Sequence, residues 1–293
     1  MSETSPKITG TSAQWLTDRV IRAVLWLLLA LPYRWRVPLC GWVVARVLAP
    51  LAGWPRRIRA NLALTQPDLP QAEVDRMVRA VPDNIGRSLI EMYSDAAFIA
   101  EATRHPLEGP GLAVLEQARA EGRPVVIATG HFGNYAAVTA AMKARGFPLG
   151  ALYRQMANPY FNEHYVRAIG TMVNPLFERG RAGMGRMLRH LRNGGMLFIL
   201  PDQRMISGQA LSFFGQPALT ALSAAEMALK YDAPLIPSYA IRQPDGLSFR
   251  IVIDAPVPVG DAATMTQALN DSLESIVRQH PEQWLWVHRR WKP

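Results

Sequence analysis

The residues best suited to chemistry lie in the stretch Pro124-Val125-Val126-Ile127-Ala128-Thr129-Gly130-His131-Phe132-Gly133-Asn134-Tyr135-Ala136. Val125 to Thr129 is a short apolar, β-branched run, which predicts a fully buried strand. Gly130 and Gly133 bracket His131 and Phe132, and glycine permits the sharp turn a strand end needs. From Asn134 onward, Ala136, Ala137, Val138, Ala140 and Ala141 predict a helix. An imidazole is thus offered at the carboxyl end of a buried strand, just before a helix N-terminus. Open α/β sheets bind their ligands there, and the free N–H groups of the helix suit an anion. Such an imidazole can move a proton; the plain alternative is a satisfied or surface histidine.

Further candidates follow in order. Pro148 to Tyr153 predicts a second buried strand, and Arg154 ends it at the same sheet edge as His131. Its alternative is a structural salt bridge. Met196 to Leu200 predicts a third strand, with Pro201-Asp202-Gln203-Arg204 at its carboxyl end; a turn at a strand end favours Pro-Asp in any case. Phe213-Phe214-Gly215 offers aromatics for an apolar channel or for the core. The chain closes on Pro281-Glu282-Gln283-Trp284-Leu285-Trp286-Val287-His288-Arg289. His288 and Arg289 can reach a phosphate, or the segment can cap the sheet.

This ordered set resembles that of the lysophospholipid acyltransferase-like superfamily, most of all the lauroyl/myristoyl-type branch that adds the late acyl chains of lipid A. The His131 block alone is a weak mark. Tyr153-Arg154, Pro201-Asp202-Gln203, Phe213-Phe214-Gly215 and the closing segment make the set specific, and the likeness runs from about Trp15 to Lys292. It implies transfer of a fatty acyl chain from acyl carrier protein to a hydroxyl of a lipid A precursor, with no cofactor and no metal. His131 would take the proton from the acceptor hydroxyl. The family places an Asp or Glu five positions later to hold the imidazole; here that position is Ala136. Either the alanine is an engineered inactivating change, which the otherwise intact motifs favour, or it is natural. In the second case the protein is weak or inactive, or borrows an acid from elsewhere, with Asp202 the first substitute to test; Asp202 and Arg204 would hold the acceptor headgroup or orient other side chains. The resemblance also implies substrate contacts at Asn134, Arg154, Asp202, Arg204, His288 and Arg289, and an acyl channel at Phe213 and Phe214. Other readings are an aminolipid or other glycolipid acceptor, or a non-catalytic relative that binds lipid or carrier.

The whole chain is consistent with that use. Its 293 residues suffice for one large core. The net charge is +9, and all but Lys7, Lys143, Lys230 and Lys292 of the 32 basic residues are arginine. Arginine suits bidentate phosphate recognition. No zinc spacing or RNA-binding block is present, so anionic lipid is the expected partner and nucleic acid is not. The six histidines show no paired metal-ligand spacing, and the single Cys40 excludes an intramolecular disulfide. Alternating helices and buried strands predict an α/β fold, a twisted, mostly parallel sheet with helices on both faces. Residues 1–14 read as a polar tail, 15–54 as an apolar helical membrane anchor, and 55–293 as the α/β domain. The anchor reading rests on a leucine run and on Trp15, Trp26, Trp35, Trp42 and Trp54. The segment reads as a monotopic anchor or one short span facing the cytoplasmic leaflet, which the resemblance places at the inner membrane, and two ordinary buried helices are the alternative. Glu91 and Asp95 read as surface charges.

Overall fold

A computed structural model describes residues 10–292. Positions 1–9 of the expected polar tail lie outside the described residues, while positions 12–14 already belong to the first helix. Thr11 starts α1 (Ser12–Leu29) with a capping box: its side chain accepts from Gln14 N, and the Gln14 side chain accepts from the Thr11 N–H. Next come α2 (Tyr33–Val43), a π-turn over Val44–Leu48, α3 (Ala49–Leu51) and α4 (Trp54–Thr65). Two further helices, α5 (Gln71–Met92) and α6 (Asp95–Thr103), lead to the sheet domain.

That domain alternates strand and helix. β1 (Leu107–Glu108), α7 (Leu112–Ala120), β2 (Val125–Ala128), α8 (Tyr135–Ala144) and β3 (Leu149–Tyr153) come first. They are followed by α9 (Pro159–Met172), β4 (Leu176–Glu178), α10 (Arg181–Arg192) and β5 (Met196–Ile199). A hairpin, β6 (Gln209–Phe213) and β7 (Gln216–Thr220), stands apart. Its turn residues Phe214 and Gly215 both have positive φ, the geometry of a two-residue hairpin turn. The chain then forms α11 (Ser223–Lys230), β8 (Leu235–Arg242), β9 (Phe249–Ile253) and α12 (Ala262–Gln279).

Seven strands make one sheet in the order β1-β9-β8-β2-β5-β3-β4, parallel except for the β8/β9 pair. The α/β reading therefore holds. Side chains alternate across the sheet as strand geometry requires. Val125 and Ile127 pack under α6, α8 and α9, while Val126 and Ala128 pack under α10, α11 and α12. β2 sits in the middle, wholly buried, so the loop after it is fixed on both sides.

The N-terminal helices are half packed and half bare. Leu25, Val37, Cys40 and Val44 join Ile90 of α5 and Tyr93 just after it in one apolar cluster. Arg36 of α2 is buried and donates to Ser94 Oγ and to the carbonyls of Leu29 and Leu31. The opposite face leaves Trp15, Trp26, Trp35, Trp42 and Leu51 exposed, Trp26 at 71% and Leu51 at 82%. Among the described residues no single helix is long and apolar enough to cross a membrane. Only Tyr33–Leu51 with Trp54–Thr65 passes on length and composition, as a pair bent by 86°.

Candidate active site

β2 and β5 are parallel neighbours, with Ala128 opposite Ile199. Three residues beyond each lie His131 and Asp202, so the two loops bring them to one height above the sheet. His131 Nδ1 lies 2.7 Å from Asp202 Oδ1, and the His131 backbone N–H donates to Asp202 Oδ2 at 2.7 Å. The indole Nε1 of Trp284 donates to the same Oδ2 at 3.1 Å. An ionised carboxylate only accepts, so Nδ1 carries the ring proton and Nε2 keeps a free lone pair. The amide of Gln203 rests 3.3 Å from Nε2, in the place a donor hydroxyl would take. Burial pushes the Asp202 carboxyl up. The His131 ring, its backbone N–H and the Trp284 indole outweigh this and hold it below the usual carboxylate range.

The alanine at 136 thus does not leave the imidazole without an acid. Ala136 is buried in the first turn of α8, where its N–H donates to the capping Asn134 Oδ1 at 3.1 Å. It lines the same cavity as His131. Asp202, read from sequence as holding the acceptor headgroup or orienting other side chains, is buried beneath the histidine and does the second. Asn134 is also corrected. It is 2% exposed and committed to the helix cap and to Glu91, so it serves the turn and is not presented to the cavity.

The cavity in front of His131 has a volume of about 760 Å³. Arg154, Arg179 and Arg204 stand in its wall, the first two exposed. Ile169, Met172, Val173 and Phe198 make its lining apolar further in. Arg154 and Arg204 therefore share the histidine's cavity, as the sequence suggested. Phe213 and Phe214 do not. They are buried against Trp284, Trp286 and Trp291, with centroids 5.2 Å between Phe213 and Trp284 and 5.3 Å between Phe214 and Trp286. The turn conformation of Phe214 lets two consecutive aromatics enter one cluster, where a strand would point them apart. They support the tryptophan that holds Asp202 rather than an acyl channel. Arg289 is exposed and stands outside the cavity wall.

His288 is engaged within the fold and lies outside the cavity wall. Its Nε2 accepts the Arg204 N–H at 3.0 Å, and Arg204 Nε donates to the Lys292 carbonyl at 2.8 Å. The C-terminal segment thereby straps the Asp202 loop from Trp284 to Lys292. Burial lowers the His288 pKa. The folded state therefore binds the proton less readily than the unfolded chain, and stability must fall as pH drops below the ordinary histidine value of about 6.5. Protonation also removes the acceptor for Arg204, a bond worth ~0.5–1.5 kcal/mol. The melting temperature is expected to drop between about pH 7.5 and about pH 5.5, and to drop ~1–3 °C less in His288→Gln. Equal drops in the two proteins would remove His288 from the strap.

Several site residues escaped the sequence. Glu91 is not a surface charge: it is fully buried and paired with Arg242 through both carboxylate oxygens, Oε2 at 2.7 Å from Nη2. Burial opposes the Arg242 charge, but the Glu91 carboxylate overrides it and raises the guanidinium pKa. Removing one partner of such a pair typically costs ~3–5 kcal/mol. Tyr135 sets its ring edge-on to His131 at 5.5 Å. Among the described residues no group of three metal-ligating side chains is present.

A family model described as bacterial lipid A biosynthesis acyltransferase matches residues 4–293. The chain belongs to this family. Similar proteins include a lipid A biosynthesis lauroyltransferase of Escherichia coli, 25% identical over 95% of this chain and 92% of that one. A phosphatidylinositol mannoside acyltransferase of Mycobacterium tuberculosis is 23% identical over 86% of each chain. A lipid A biosynthesis myristoyltransferase of Escherichia coli is 21% identical over 79% of this chain and 73% of its own length. As a member of this acyltransferase family, the chain has its lipid acceptor and acyl donor to accommodate, and the cavity combines a basic wall with an apolar interior.

Proposed function

We propose that this acyltransferase moves a fatty acyl chain from acyl carrier protein to a hydroxyl of a lipid A precursor, at the cytoplasmic face of the inner membrane. The observation that carries the reading is the His131–Asp202 pair at the edge of a cavity with a basic wall and an apolar lining. The acceptor hydroxyl approaches Nε2 of His131, displacing the Gln203 amide. His131 takes its proton as the oxygen attacks the thioester carbonyl. Asp202 stabilises the imidazolium that forms and keeps the ring in the productive tautomer. The tetrahedral intermediate then expels the carrier thiolate, which recovers the proton from His131. Arg154, Arg179 and Arg204 suit the acceptor's phosphate, and the apolar lining suits the acyl chain.

The donor reading draws on charge. Acyl carrier protein is acidic, and a surface of net charge +9 favours its encounter. The membrane reading draws on the bare face of α1–α3. Arg19 stacks on Trp15 at 5.4 Å and Arg34 on Trp35 at 5.5 Å, so indole and guanidinium stand together as interfacial anchors do. A second acceptor, a glycosylated phospholipid, is favoured by the likeness to the phosphatidylinositol mannoside enzyme.

The test is direct. The purified protein is incubated with acyl carrier protein bearing lauroyl or myristoyl chains and with either acceptor class, and the lipids are weighed by mass spectrometry. A lipid A precursor heavier by one acyl group is expected. No acylated product from any acceptor would overturn the reading, and product from the glycosylated phospholipid alone would replace the acceptor.

A further inference from the structure

The turn that carries His131 is gripped from behind by a buried polar network. Gly133 O accepts two hydrogen bonds, from Asn84 Nδ2 at 3.1 Å and Ser88 Oγ at 3.0 Å. Both donors lie on α5. Asn134 accepts from Ala136 N through Oδ1 and donates through Nδ2 to Glu91 Oε2 at 2.8 Å. Arg242 at the end of β8 organises the three α5 residues: Nε donates to Asn84 Oδ1 at 2.8 Å, Nη2 to Ser88 Oγ at 3.2 Å, and both Nη atoms to Glu91. The fourth donor to Glu91 is Tyr33 Oη of α2, at 3.3 Å. All four acceptor positions of this carboxylate are therefore filled.

The glycine admits no slack. Gly133 has φ +56°, and a Cβ there would stand 1.8 Å from the Ala240 carbonyl oxygen. The turn is pressed against β8 on one side and held by α5 on the other. Its N–H donates to the Gln283 carbonyl at 2.8 Å. His131 needs that fixity, because both its ring and its backbone N–H must meet the same carboxylate.

We infer that Glu91 is a positioning residue for the transfer reaction: through Asn134 it holds the turn that aims His131 at Asp202, and through Tyr33 it ties that turn to the helices bearing the bare apolar face. The inference rests on the proposed acyl transfer for its kinetic consequence only. The geometric claim concerns the His131–Asp202 bond itself.

Two variants separate it from plain stability. Glu91→Gln keeps the shape and removes the charge. Asn134→Ser keeps a helix-capping oxygen and the Glu91–Arg242 pair, but removes the donor to Glu91. With ring-¹⁵N histidine, the far-downfield Nδ1 proton of a bond to carboxylate is recorded for the parent, for Asp202→Asn and for both variants. Melting curves accompany each spectrum. The parent is expected to show the resonance and Asp202→Asn to lose it. Asn134→Ser is expected to weaken or lose it while still folded, and Glu91→Gln likewise. In the transfer assay kcat is expected to fall about tenfold to a hundredfold with KM little changed, the size of effect an ångström-scale misplacement produces. An intact resonance in folded Asn134→Ser overturns the inference even if Glu91→Gln does not fold. So does its absence from the parent, and neither result bears on whether the parent transfers acyl chains.

Discussion

Asp202→Asn is expected to lower kcat by about 10⁴-fold in a protein that remains folded, the loss seen when the orienting acid of the serine-protease triad is made an amide. The amide keeps the shape and an oxygen for the Trp284 indole and the His131 N–H. It also presents an NH₂ group, which cannot accept the Nδ1 proton. The ring is then driven toward the tautomer with its proton on Nε2, where it cannot act as a base. The buried site makes the effect large, since Asp202 is 3% exposed and no water replaces the lost acceptor. Steady-state kinetics per folded molecule checks it. A loss below tenfold would remove Asp202 from the chemistry.

The second large effect concerns the N-terminal helices. Deleting Ser12–Leu51 is expected to abolish cooperative folding rather than release a soluble α/β domain. α5 would lose the cover over Ile90 and Tyr93, Ser94 would lose Arg36, and Glu91 would lose Tyr33. Each buried apolar side chain set bare costs ~1.5–3 kcal/mol. Two of them, with the polar losses, approach the whole ~5–15 kcal/mol of a typical domain. Substituting Trp26, Trp35 and Trp42 together by Gln touches only the bare face. That variant is expected to keep the parent's melting temperature and to shift from membrane vesicles to the supernatant in flotation. A sharp thermal transition in the deletion protein, or unchanged flotation of the triple variant, would contradict this division of labour.

The residues behind these two expectations also mark what was legible in the sequence. The central strand, the His131 loop and the α/β class followed from a β-branched run between glycines and from alternating patterns. The partner of His131 followed only in outline: Asp202 stood at the same sheet edge as the first substitute for the missing acid, but strand order is not written locally. β2 and β5 are neighbours although 71 residues apart, and only their register sets His131 beside Asp202. Position 136 drew attention as the expected home of the acid, while the acid stood on the adjacent strand's loop. Glu91 read as solvent-facing because a buried acid on an amphipathic helix is recognisable only from its partner, and Arg242 lies 151 residues away. The consecutive phenylalanines read equally as a channel wall or as core because a hairpin turn at Phe214 was not foreseen. The bare apolar face was legible, as leucines and tryptophans beyond what the core can absorb.

The most direct measurement compares turnover of the chain as it stands with Ala136→Asp and Asp202→Asn, in one mass-spectrometric assay of acyl transfer from acyl carrier protein. The cavity lining at 136 is already buried, and the imidazole already has its carboxylate. Turnover by the chain with Ala136 in place, no gain in Ala136→Asp and collapse in Asp202→Asn is the expected result. A silent parent that gains activity only when an acid is placed at 136, or an Asp202→Asn protein as fast as the parent, would contradict the His131–Asp202 account.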